Sequence, residues 1–198
     1  MGKVIKFPGP QPEKFGLQRV RKKGTASPKT PQLDLFTRGK VVRLSQLTTF
    51  DEALYYDEQG NVDYARKLYL KAIEQGDDSQ ADAYCNLGIL ESQFGNHTRA
   101  IDCFTMALKH EPRHFEAHYN LANLYAEVGN YSLAKVHYQI SIEVEPDFQN
   151  SYFNLGLTLA MNKEYKEAVS LLKKYRTLAP SDEHKQTDEL IAQLEFTF

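Results

Sequence analysis

The chain has 198 residues, 41% of them apolar, and a net charge of −2. That apolar content suffices for one buried core, and no run of about 18 apolar residues offers a membrane span. Two cysteines, Cys85 and Cys103, are too few for a disulfide framework and point to a reducing compartment; the opening residues lack the apolar stretch of a secretory signal, so cytoplasmic localisation is expected.

The small net charge hides a division. Residues 1–43 carry eleven Lys or Arg against two acids, a net +9, which leaves thirteen bases against twenty-four acids, a net −11, for the rest. Pro8, Pro10, Pro12, Pro28 and Pro31 interrupt any helix in the first part. Residues 1–44 therefore read as a basic, proline-containing, largely disordered arm on an acidic body, residues 45–198. Such an arm attracts phosphates without sequence specificity, which allows weak nonspecific contact with nucleic acid and a DNA-associated regulatory role; the acidic body opposes this. Arg19-Val20-Arg21-Lys22-Lys23 is also tethered close enough to fold back onto the acidic body.

Within the arm, Gln32-Leu33-Asp34-Leu35-Phe36 resembles the clamp-binding pentapeptide of bacterial replication and repair proteins at all five places. The resemblance implies a DNA sliding clamp as partner, with Leu35 and Phe36 entering an apolar pocket and Gln32 hydrogen-bonding beside it. Two other readings stand beside it: Leu33, Leu35 and Phe36 cap the first face of the body, or the segment is a linker.

From Ser45 onward the chain repeats itself. Tyr84-Cys85-Asn86-Leu87-Gly88 is followed by Ala100, Phe104, Ala107 and Pro112. The same pattern returns 34 residues later as His118-Tyr119-Asn120-Leu121-Ala122 with Ala134, Tyr138, Ser141 and Pro146, and again as Tyr152-Phe153-Asn154-Leu155-Gly156 with Ala168, Leu172, Tyr175 and Pro180. An earlier, worn copy has Ala53, Tyr56, Ala65, Tyr69 and Ala72 in phase, one residue further upstream, with Glu52 in place of Leu. Gly60, Gly95 and Gly129 mark the turn inside the first three copies, and Lys163 stands there in the fourth.

This series resembles the tetratricopeptide repeat. The resemblance implies an all-α fold, an α-solenoid of antiparallel helix pairs in about four repeats, near 46–80, 81–114, 115–148 and 149–180. Small residues let paired helices approach, and each proline is expected at the start of the next helix. Ser181-Asp182-Glu183-His184 offers a helix start, and Leu190, Ile191 and Leu194 one apolar stripe, so a C-terminal capping helix near 182–195 covers the last repeat. Tyr175, large where Ala is usual, is tolerable against such a cap.

The resemblance also implies function: a protein–protein interaction module, an adaptor or assembly scaffold whose first helices line a concave groove for an extended peptide. It places Asn86, Asn120 and Asn154 on that groove, one per repeat, and an amide that both donates and accepts is able to hold a peptide backbone without reading its sequence. Asp82, Glu116, Tyr119, Asn123, Glu127 and Phe153 are the further inferred groove residues, and the first repeat adds Phe50, Asp51, Asp57 and Glu58. These acids, with no Lys or Arg among the inferred positions, argue against capture of a C-terminal carboxylate and for neutral or basic peptides.

No enzyme is expected. The sequence has no phosphate-binding Gly-rich loop. His110, His114 and His118 are spaced by four, but Pro112 separates the first two, so no metal and no cofactor is read. Cys85 and Cys103 fall on different helices and read as packing residues.

Overall fold

The computed structural model describes residues 19–20 and 47–197. Among the described residues every regular element is helical: α1 (Thr49–Glu58), α2 (Val62–Gln75), α3 (Gln80–Gln93), α4 (His97–His110), α5 (Phe115–Glu127), α6 (Tyr131–Val144), α7 (Gln149–Met161), α8 (Tyr165–Leu178) and, after a 3-10 turn at Ser181–Glu183, α9 (His184–Glu195). The fold class is the all-α solenoid of antiparallel helix pairs with a closing helix. Residues 19–20 and 47–112 belong to one compact unit and residues 113–197 to a second.

In the first unit, a capping box opens α1. The Thr48 hydroxyl accepts from the Asp51 N–H at 3.1 Å, and the Asp51 carboxylate accepts from the Thr48 N–H at 3.3 Å. The two helices of each pair divide the packing differently. α2 buries Ala65, Leu68, Tyr69 and Ala72, a single stripe at helical spacing, and α4 buries Ala100, Phe104 and Ala107. α3 is buried continuously from Cys85 to Glu91. Gly88 is what lets α3 meet α4: a Cβ there would stand 2.8 Å from the Phe104 ring. Glu91, buried on α3, is held by Arg66 of α2 and by the Asn96 amide at 2.9 Å.

The second unit repeats the scheme. α6 buries Ala134, Tyr138 and Ser141, α8 buries Ala168, Val169, Leu172 and Tyr175, and α7 is buried continuously from Ser151 to Ala160. A Cβ on Gly156 would approach Leu172 to 3.0 Å. Leu190, Ile191 and Leu194 of α9 join the same core as Phe153 and Tyr175. Tyr175 is wholly buried, and its hydroxyl reaches Glu183 in the turn before α9.

Two local expectations change. The prolines do not open the helices. Pro112 precedes α5 by three residues, and the N-cap place falls to His114, whose Nδ1 accepts from the Ala117 N–H at 3.2 Å. The turn inside each helix pair needs a left-handed residue, supplied by Gly95 at φ 75° in the second pair. Lys163 meets the same need in the fourth pair at φ 68°, an uncommon conformation for a residue with a Cβ.

Candidate functional site

In the first unit, Arg19 and Val20 lie against the face shared by α1 and α3. The Val20 N–H donates to Asn86 Oδ1 at 2.9 Å, and Asn86 Nδ2 donates to the Val20 carbonyl at 3.0 Å. One residue offers its N–H and C=O in the same direction only where the backbone is extended, as in a hydrogen-bonded strand pair. Asn86 thus treats Val20 as a neighbouring strand would. Both partners are closed off from water, Asn86 at 0% and Val20 at 1% exposure.

Arg19 runs to α1. Its Nη2 is 2.8 Å from Asp57 Oδ1; the Asp57 side chain is 0% exposed and that of Arg19 is 33% exposed. The Tyr69 hydroxyl of α2 donates to the other oxygen of Asp57 at 3.2 Å. Burial pushes the Asp57 carboxyl above its ordinary value, while the Arg19 guanidinium and then the Tyr69 hydrogen bond pull it back. Asp57 is therefore an enclosed acid that depends on a nearby cation. Burial, and next the Asp57 charge, raise the Tyr69 hydroxyl well beyond reach of physiological pH, so it stays a donor.

In the second unit the asparagines are engaged with one another. Asn154 Nδ2 donates to Tyr119 Oη at 2.9 Å and to Asn123 Oδ1 at 3.0 Å, and the Tyr138 hydroxyl donates to Asn123 Oδ1 at 2.5 Å. Burial pushes the Tyr119 hydroxyl up to about 12, against the bonds from Asn123 and Asn154. Asn120 is buried as well. Phe153 packs against Tyr175 with ring centroids 4.9 Å apart. Glu116 is buried beside His114, its Oε2 3.3 Å from Nδ1. Glu127 is exposed and, in the first unit, Asp82 is half-buried. Gln32, Leu33, Asp34, Leu35 and Phe36 lie outside the described residues, as do Arg21, Lys22 and Lys23.

Two features escaped the sequence. Tyr69 reads as a packing aromatic, yet its hydroxyl completes the Asp57 pocket. His137 carried no signal, yet its Nδ1 is 2.9 Å from Nδ1 of His118, so one ring donates and the other accepts. Burial, and then His118, lower the His137 imidazole to about 4. His110 stacks on Tyr84 at 5.5 Å. Burial, followed by Glu91 and Asp102, pushes the Cys103 thiol up to about 11, where it is no nucleophile at neutral pH.

Helix pairs at a constant period define a helical-repeat protein. Tetratricopeptide repeat models match residues 81–114 and 115–148, and a second such model matches 137–170. The chain is a tetratricopeptide repeat protein. No curated protein sequence matches it. Its fold is similar to that of MamA from Desulfovibrio magneticus RS-1, at 18% identity and a TM-score of 0.60, covering 75% of this chain and 92% of that one. It is also similar to a tetratricopeptide repeat protein from Parabacteroides merdae, at 18% identity and a TM-score of 0.64, covering 75% and 59%. A third similar structure is the first tetratricopeptide repeat domain of Spaghetti (RPAP3) bound to the HSP90 peptide SRMEEVD, at 18% identity and a TM-score of 0.53, covering 59% and 96%. At these identities the likeness is one of fold, and the fold is a typical non-enzymatic interaction module. Among the described residues no helix is long and apolar enough to cross a membrane.

Proposed function

We propose that this protein is a non-enzymatic adaptor or assembly scaffold of the cytoplasm that binds an extended polypeptide on the first helices of its repeats. The observation that carries this reading is the paired hydrogen bond between the Asn86 amide and the backbone of Val20. It is the chemistry of backbone capture, carried out on a segment from elsewhere in the chain. Asn120, at the same place in its repeat, extends the reading to the second unit, whereas Asn154 is engaged there by Tyr119 and Asn123. The carboxylates Asp57, Asp82 and Glu116 on these helices favour neutral or basic segments over acidic ones. A peptide array titrated with the full-length chain tests this. Neutral and basic peptides are expected to bind, and Asn86→Ala to weaken them. Equal or tighter binding of acidic peptides contradicts the charge preference, and indifference to Asn86→Ala contradicts backbone capture.

A further inference from the structure

We propose that the α1–α3 face is a recognition site for an arginine followed by a small aliphatic residue, and that Arg19-Val20 is a resident occupant which an outside partner carrying the same pair displaces. The proposal rests on the reading above and adds to it a partner chemistry.

Three contacts fix the register. Asn86 uses both its oxygen and its nitrogen on a single residue, so that residue is pinned rather than free to slide. The preceding side chain then falls on Asp57, an acid wholly removed from water and otherwise supported on that side chain by the Tyr69 hydroxyl. A carboxylate so enclosed strongly favours a cation opposite it. The pinned side chain itself is closed off from water, as Val20 is, which suits a compact β-branched residue and excludes a charged one. The pinned residue must also bring an N–H, so proline is excluded there. One position of the partner is read for charge, the next for size and for its backbone.

The occupant belongs to the same chain, and a tethered segment competes at an effective concentration on the order of millimolar. A partner therefore enters only by binding more tightly than the resident pair, or by holding several repeats at once. The chain's own segment sets a threshold on what the site accepts.

The test uses the full-length chain and a labelled peptide copying residues 15–24, followed by fluorescence anisotropy. The double variant Arg19→Ser/Val20→Asp empties the site without touching α1, α2 or α3, and its helicity serves as the folding control. It should bind the peptide about tenfold or more tightly than the wild-type chain does. A peptide with Ala in place of Arg19, and one with Pro in place of Val20, should each lose about tenfold. Adding Asp57→Asn to the double variant should abolish the difference between the Arg and Ala peptides. Equal binding by wild type and double variant, or equal binding of the Arg and Ala peptides, overturns the proposal. A displayed library of random ten-residue peptides, panned on the double variant with and without Asn86→Ala, separates the two readings. Asn86-dependent peptides enriched in a basic residue followed by an aliphatic support the proposal. Asn86-dependent peptides lacking that pair sink it and leave backbone capture standing, and no Asn86-dependent peptide sinks both.

Discussion

Asn86 and Asn154 occupy the same place in their repeats and have opposite neighbours. Asn86 gives its oxygen and nitrogen to the backbone of Val20. Asn154 gives its nitrogen to two side chains of the preceding first helix, Tyr119 and Asn123. The preceding helices also differ. Counting back by the repeat, with the one-residue offset of the first copy, the positions of Tyr119 and Asn123 are taken by Phe50 and Leu54 in α1. Phe50 is buried against the Tyr69 ring and has no polar atom to offer. Asn86 gives both amide atoms to the Val20 backbone and also lies within hydrogen-bonding reach of the Tyr69 hydroxyl; a buried amide left unpaired is costly. The peptide backbone is thus held beside α1, where Phe50 stands in the place that Tyr119 takes beside Asn154.

The comparison is most open to attack through the asparagines themselves. Asn154→Leu strips a buried donor from two acceptors and should cost about 2–3 kcal/mol in urea unfolding. Asn86→Leu leaves Val20 free to return to water and should cost less than about 1 kcal/mol. Equal losses would mean that both amides are structural. Acid should then discriminate between the units. The unfolded His137 binds its proton near the ordinary histidine value of about 6.5, whereas the folded ring is held near 4 by burial and by His118. Between these limits the unfolded chain carries more protons, so stability is complete above about pH 6.5 and is lost as pH falls toward 4. About 1–2 kcal/mol is expected after allowance for solvent at this half-exposed ring. Protection in α5 and α6 should weaken on acidification, and His137→Gln should remove that response. Undiminished protection at pH 4 would show the imidazole pair to be immaterial.

Smaller effects sharpen the picture. Tyr69→Phe removes the hydroxyl donor on Asp57 and should cost about 1 kcal/mol, with α2 still packed and residues 19–20 more weakly held. A loss confined to global stability, with those residues unaffected, would separate Tyr69 from the pocket. Lys163→Gly relieves a left-handed lysine that costs about 1–2 kcal/mol, part of which returns as unfolded-state freedom. A gain of about 0.5–1 kcal/mol is expected in thermal unfolding, and a loss would mean that the lysine side chain contributes more than its backbone costs.

Much of the fold is legible in the sequence because the repeat is a packing rule. Gly88, Phe104, Gly156 and Leu172 recur at a period that only stacked helix pairs satisfy, and the close approaches at both glycines follow from it. The closing helix is legible as one apolar stripe after Pro180. The site is legible by half. The asparagines stand out as residue types at a period, but their partners do not: the charge of residues 19–23 points to the acidic body without picking out Asn86, 66 residues from Val20. Tyr69 was hidden because a phased aromatic needs only its ring to explain it. His137 was hidden because its partner is set by the pairing of α5 with α6, at a separation of 19 residues. The prolines misled by a few residues because the chain turns before each helix rather than at its first residue.

The central claim is that Asn86 holds the backbone of Val20 as a neighbouring strand would. Residue-resolved amide hydrogen exchange of Val20 in the full-length chain tests it most directly. The account predicts a protected Val20 N–H that becomes exposed in Asn86→Ala while α3 stays protected. Exchange of the Val20 N–H at the rate of an unstructured peptide in the unaltered chain would contradict it.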